Sequence, residues 1–396
     1  MGKRQPGNRL NRRNFIKAGA AGICSFCLAG IYGCAPGEEK TKAPAEPADP
    51  GEAVSQKGLI KTKRSPWYSE LEGNKIRCEL CPKECRLSEG ERAPCRVREN
   101  RDGSCYSLVY GNPVLVQEDP VERKPFFHVL PGSRALSIST AGCNLACQFC
   151  EVWDMALVSP EEVHAYDMPP ETVLKHAGAG DVRSISYAFG EPVIYYEYTA
   201  SVADLAREEG YLNLMHTAAY INREPLKELI ARMDAVNVDL KGFNEEFYRE
   251  YVGGELETVL DNLKIIRDSG VHLEITTIVI PTLNDEMDQI RAMCEWIAAE
   301  LGPDVPLHFA RFYPLHKLSA LPRTPASTLD EARNTALDVG LNYVYVARVT
   351  GHEGEDTFCP GCGERVIERK GFVIEELRLR DGACRSCGTG LPGLWA

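Results

Sequence analysis

From residue 134 onward the chain alternates between two patterns, and this alternation narrows its fold more than any other feature. Short apolar runs rich in β-branched and aromatic residues occupy 135–139, 182–187, 211–215, 235–239, 272–280 and 306–312. Stretches with helical spacing, such as 201–209, 224–231 and 285–300, come between or after them. Buried strands joined by helices pair in parallel, because each crossover carries the chain back to the same end of the sheet. Six units are fewer than the eight of a closed barrel, so an α/β fold built on a partial (β/α)6 barrel is expected. A further run at 343–346 adds an edge strand.

Chemistry in such folds gathers where strands end, and here every exit is polar. The first run leads into Cys143-Asn144-Leu145-Ala146-Cys147-Gln148-Phe149-Cys150, the second into Phe189-Gly190-Glu191-Pro192, and the third into His216 and Thr217. The fourth ends on Asp239 and Lys241, the fifth on Thr277 and Pro281, and the sixth contains His308 and Arg311. Asp239 and Lys241, two apart on a strand, project to one side and suit either a ligand contact or a rim ion pair. His308, in an apolar run, suits either a ligand contact or a core histidine with a satisfied partner.

The chain of 396 residues has 16 cysteines, and their spacing says what they are for. Tight pairs bring sulfurs around one metal rather than into disulfides. A cubane cluster takes four thiolates, so the three of Cys143, Cys147 and Cys150 leave one iron free to bind a small molecule. Cys359-x2-Cys362 and Cys384-x2-Cys387 have the form of a zinc ribbon, a closed structural site. Cys78, Cys81, Cys85 and Cys95 form an N-terminal group that suits Zn2+ or a second iron–sulfur cluster, and the nearby Cys105 leaves its ligand count open. Cys294, inside a helical stretch, reads as a small buried hydrophobe.

Charge excludes one class of partner. The chain carries 45 Lys and Arg against 57 Asp and Glu, a net −12. Six of the basic groups and no acidic one lie in residues 1–34, so the remainder stands at −18. So acidic a body repels a phosphate backbone, and nucleic acid is not expected as a partner. Asn11-Arg12-Arg13-Asn14-Phe15-Ile16-Lys17, followed by an uncharged stretch at 18–33, has the form of a twin-arginine export signal. Ile31-Tyr32-Gly33-Cys34 has the form of a lipobox, which would anchor the protein to a membrane through Cys34. Residues 35–57, rich in proline and charge and without aromatics, read as a disordered tether. The chain then divides into a signal (1–34), that tether (35–57), a Cys-rich segment (58–133), a core (134–350) and a zinc-ribbon-like module (351–396).

With these residues in view, Cys-x3-Cys-x-Phe-Cys at the first strand exit resembles the radical S-adenosylmethionine superfamily. The resemblance implies that the open iron is chelated by the amino and carboxylate groups of S-adenosylmethionine. One electron from a low-potential donor then cleaves the sulfonium to a 5′-deoxyadenosyl radical. Phe149 matches the aromatic position near the adenine, and Gly190-Glu191-Pro192 resembles the motif whose acid meets the methionine amino group. Asp239, Lys241 and His308 resemble positions that the pyruvate formate-lyase activating enzyme subgroup uses for the methionine and ribose parts. Cys78-x2-Cys81-Pro82-x2-Cys85-x9-Cys95, Asp119-Pro120-Val121-Glu122-Arg123-Lys124-Pro125 and His308-Phe309-Ala310-Arg311-Phe312-Tyr313-Pro314 resemble the AmmeMemoRadiSam-system enzymes. Glu151-Val152, Ala188-Phe189 before Gly190, and the extra Cys105 depart from that pattern.

Two functions of different class follow. One is an enzyme that abstracts hydrogen from a small-molecule or protein substrate, a glycyl position of a partner protein being one candidate. The other is an exported, non-catalytic iron–sulfur or zinc protein for electron transfer or binding. The export signal favours the second, because S-adenosylmethionine is a cytoplasmic resource. Glu191, Asp239 and Lys241 at successive strand exits favour the first, since a plain electron carrier has no use for them.

Overall fold

The computed structural model describes residues 55–396. The export-signal reading, the acylation of Cys34 and the tether up to residue 54 lie outside the described residues. The expected tether ends earlier than its composition suggested: Ser55–Lys57 pairs antiparallel with His164–Tyr166. Three polar residues ordered by another strand's free edge are not visible to a composition argument.

One sheet dominates, and its strands lie side by side in chain order. They are β1 (Leu115–Pro120), β2 (Arg134–Ser139), β3 (Ser184–Tyr187), β4 (Leu212–Thr217), β5 (Ala235–Asp239), β6 (His272–Val279), β7 (Leu307–Arg311) and β8 (Val344–Ala347). Strands β2 to β8 pair in parallel. All six expected strands form, as does the edge strand at β8. The sequence reading missed β1, which pairs antiparallel with β2 and so builds the Cys-rich segment into the sheet.

Crossovers are made by α1 (Pro170–Ala179), α2 (Tyr196–Glu208), α3 (Arg223–Ile230), α4 (Leu256–Asp268), α5 (Met287–Trp296) and α6 (Ala326–Val339). Their apolar spacing is the reason they pack: α3, for example, buries Leu226, Leu229 and Ile230 along one side.

Register divides the sheet's side chains between two faces, because successive residues alternate. Ile185, Met215, Val236, Val238, Ile275 and Phe309 lie on the face that carries helices. There Asn213 donates to Ala203 O of α2 at 3.0 Å. The opposite face is polar: Ser186 pairs with Ser137, His216 with Asn237, Asp239 with Thr276, and His308 with Tyr345.

The segment between β1 and β2 lies against this polar face. Asn237 donates to Pro125 O at 2.9 Å, and Glu274 accepts from the amides of Phe127 and His128 at 3.0 and 2.9 Å. Buried polar groups are thus answered by a neighbouring backbone.

Small sheets flank the large one. Tyr68–Leu71, Lys75–Cys78 and Arg86–Leu87 form one N-terminal sheet, and Lys63–Arg64, Arg98–Arg101 and Ser104–Ser107 form another. At the C-terminus, Thr357–Phe358, Arg365–Lys370 and Val373–Leu377 form a three-stranded sheet beside the pair Leu379–Arg380 and Ala383–Cys384. Arg369 ties this module to the core, donating to Phe127 O at 2.7 Å and stacking over the Phe127 ring at 4.4 Å.

Candidate active site

The three-cysteine loop leaves β2 through Gly142, and the backbone there admits only glycine. Gly142 has φ +95°, and a Cβ would stand 2.7 Å from Cys95 O. Beyond it, Leu145 N donates to Cys143 Sγ at 3.4 Å. Amides directed at sulfur favour metal-bound thiolate. The loop is pinned from outside by Ala146 N on Val252 O (2.9 Å), Gln148 N on Tyr251 O (2.8 Å) and Asn144 Nδ2 on Tyr220 O (2.7 Å).

Burial pushes the Cys143 thiol well above its ordinary range, and Glu191 adds to the effect. Burial likewise pushes Cys147 up to about 11, with Lys241 pulling the other way. Thiols so placed need a metal's positive charge to become ligands at neutral pH. Cys147 and Cys150 add to the rise at Cys143, as like-charged thiolates sharing one loop must. The donor set therefore fits a cluster bound through three thiolates.

At the exit of β3, Phe189 has φ +69° and Gly190 follows. The Gly190 amide donates to Ser139 Oγ at 3.0 Å, and a Cβ on Gly190 would stand 2.4 Å from that oxygen. Glu191 is 5% exposed, and its carboxylate accepts from Val193 N (3.1 Å), Thr217 Oγ1 (2.6 Å) and Ala218 N (2.9 Å). Burial raises its pKa while those bonds oppose the rise. The side chain expected to meet a ligand's amino group is here answered by the protein's own donors, and it locks the exits of β3 and β4 together.

Asp239 and Lys241 form an ion pair at 2.9 Å, and His216 Nε2 meets the other Asp239 oxygen at 2.8 Å. Burial works against both charges, but their attraction prevails, holding the Asp239 carboxyl below its usual range and the Lys241 ammonium above its own. Lys241 Nζ also lies 6.0 Å from the centre of the Phe149 ring, which is 3% exposed and stacks on Phe247 at 6.0 Å. Phe149 and Lys241 thus stand together beside Cys147. His216 stood among the polar strand exits without an assigned role, and Ser139 was not expected; its place at the end of β2 was the signal.

His308 is fully buried, with Nε2 on Glu274 at 2.6 Å. Glu274 also meets His272 at 3.1 Å. The core-histidine alternative describes this nitrogen, while Nδ1 has no partner.

The other cysteines separate by geometry. Cys359, Cys362, Cys384 and Cys387 have sulfurs all within 4.8 Å of one another, the set so gathered among the described residues. The Cys359–Cys387 and Cys362–Cys384 separations are 3.5 and 3.8 Å. Tetrahedral Zn–S bonds of about 2.3 Å place sulfurs about 3.8 Å apart, so this set fits a four-thiolate ion. Cys78, Cys81, Cys85 and Cys95 converge on a small cavity of their own. Cys294 is buried in α5, as expected. A cavity of about 300 Å³ opens between α6 and the C-terminal module, and none of the strand-exit residues described above line it.

The profile of the Radical SAM superfamily matches residues 137–295. An uncharacterized protein of Methanocaldococcus jannaschii is 40% identical over 324 residues, covering 81% of this chain and 96% of that protein. The pyruvate formate-lyase-activating enzyme of Clostridium pasteurianum is 25% identical over 173 residues, covering 42% of this chain and 70% of that enzyme. Among solved structures, a radical SAM methyltransferase from Sphaerobacter thermophilus matches with TM-score 0.44 and 13% identity, over 75% of this chain and 81% of that one.

Proposed function

The chain belongs to the radical S-adenosylmethionine superfamily and is an enzyme, and we propose that Cys143, Cys147 and Cys150 hold its [4Fe–4S] cluster. When bound, the cluster and S-adenosylmethionine supply a reductive cleavage that yields a 5′-deoxyadenosyl radical. The observation that carries the assignment is the loop itself: three closely spaced thiols, Cys147 buried and Cys143 and Cys150 partly so, with the Leu145 amide directed at Cys143 Sγ.

Around it each residue has a task. Gly190 leaves room where a side chain would fill the space before Ser139. Glu191 holds two strand exits at fixed spacing through Thr217 and Ala218. Lys241, braced by Asp239, sets a positive charge beside Cys147. Phe149 offers an aromatic wall, and His308 Nδ1 is a free polar atom on the same sheet face as Asp239. We read the sheet as the wall of a partial barrel, the C-terminal four cysteines as a structural Zn2+ site, and a low-potential protein as the electron donor. The domain limits 58–133, 134–350 and 351–396 belong to the same reading. An electron carrier that does no chemistry needs none of these polar exits, so nothing among them favours that alternative.

The likeness to an activating enzyme favours a protein substrate that yields a hydrogen atom from a glycyl position. Host-cell protein labelled with α-deuterated glycine tests this. The reading expects deuterium in the 5′-deoxyadenosine formed when labelled protein is added. Unlabelled deoxyadenosine, with turnover dependent on the small-molecule fraction, would contradict it.

A further inference from the structure

We infer that Cys78, Cys81, Cys85 and Cys95 bind a single thiophilic metal ion of the zinc class, and that this ion sets the shape of the three-cysteine loop beside it. The second half rests on the reading of that loop as the iron site.

The four sulfurs line a cavity of about 20 Å³. That volume admits roughly one water-sized body, which suits a single ion. The amides of Leu80, Lys83 and Val97, each two residues beyond a cysteine, favour the thiolate forms of Cys78, Cys81 and Cys95. The same spacing recurs at Cys143, where Leu145 N donates to Sγ at 3.4 Å. Such turns present sulfur outward to a shared centre. Cys105, the fifth thiol, is buried and absent from the lining, so it is not counted among the ligands.

The walls of this cavity are also walls of the neighbouring loop. Asn144 follows Cys143 directly and lines the cavity. It is 3% exposed and its Oδ1 has no partner. On the other side of Cys143, Gly142 packs against the carbonyl of Cys95. Val193 and Ile194, just beyond Glu191-Pro192, complete the lining, and Ile194 O accepts from Arg98 at 2.9 Å. Unlike the C-terminal set, these sulfurs are not all within 4.8 Å of one another. A tetrahedral ion needs them about 3.8 Å apart. Binding therefore draws the N-terminal turns inward, and Gly142, Asn144 and Val193 are attached to what moves.

The test is metal analysis of the anaerobically purified full chain, wild type and Cys85→Ser, with the rate of iron loss to a chelator. The expected wild type carries two zinc and four iron per chain. Cys85→Ser keeps one zinc, which also reports that the C-terminal module has folded, and releases iron about tenfold faster. Eight irons in the wild type, or unchanged iron release after loss of one zinc, overturns the inference. Should Cys85→Ser fail to fold, Cys362→Ser serves: with the C-terminal site broken, cobalt(II) is expected to give one tetrathiolate spectrum per chain, and its absence overturns the ion assignment. If the wild type binds no iron yet gives that spectrum, the iron reading of the loop fails while the ion assignment stands.

Discussion

At Gly190 a single methyl group decides whether two strand exits can meet. Its Cβ position lies 2.4 Å from Ser139 Oγ, so Gly190→Ala must push the exit of β3 away from β2. A loss of about 1–3 kcal/mol in stability is expected, with S-adenosylmethionine affinity reduced more than tenfold, roughly the equivalent of 1.4 kcal/mol. Adding Ser139→Ala removes the obstructing oxygen and is expected to recover most of the affinity in a calorimetric titration. Failure of the double variant to recover would place the defect elsewhere. Residue types at this scale were legible: the three cysteines, Gly190 and Glu191 all stand at strand exits. Side-chain direction was not. The Glu191 carboxylate faces Val193, Thr217 and Ala218, and His308 faces Glu274, because burial forces each polar atom to the nearest donor or acceptor. Those neighbours come from other strands, and spacing along one strand says nothing about them.

Elements were legible in proportion to how much of their pattern is local. Strands β5 and β6 announce themselves by β-branched residues alternating with polar ones, Val236-Asn237-Val238-Asp239 being the clearest case, because one face of the sheet is apolar and the other polar. β1, with the sequence Leu-Val-Gln-Glu-Asp-Pro, does not, because its partner lies across a turn and its side chains are only half buried. The C-terminal element is the opposite case: four cysteines in two tight pairs specify it almost alone. Its strands are short and Val373 and Leu377 are exposed, so beyond the buried cluster of Val366, Ile367, Leu379 and Leu391 with Phe127, Tyr343 and Tyr345 an ion is its main tie. Cys384→Ser, or a zinc chelator, is expected to open residues 357–391 to limited proteolysis while the parallel sheet keeps its circular dichroism. A module that stayed protease-resistant with zinc removed would show that Arg369 and the contacts around Phe127 suffice.

Across the whole molecule, the parallel sheet brings residues from five separate stretches to one end, and three metal-competent cysteine groups are distributed around it. The N-terminal group adjoins the central loop through Asn144 and Gly142, whereas the C-terminal group lies beyond the edge at β8. That division suits one reactive centre supported by structural sites. The most direct test is to reduce the anaerobically loaded protein with dithionite, add S-adenosylmethionine, and follow 5′-deoxyadenosine together with the cluster's paramagnetic resonance. The radical reading predicts a changed signal on cofactor addition and deoxyadenosine in the same sample, both lost in Cys147→Ala. An unchanged signal and no cleavage, in protein shown to carry its full iron, would contradict it.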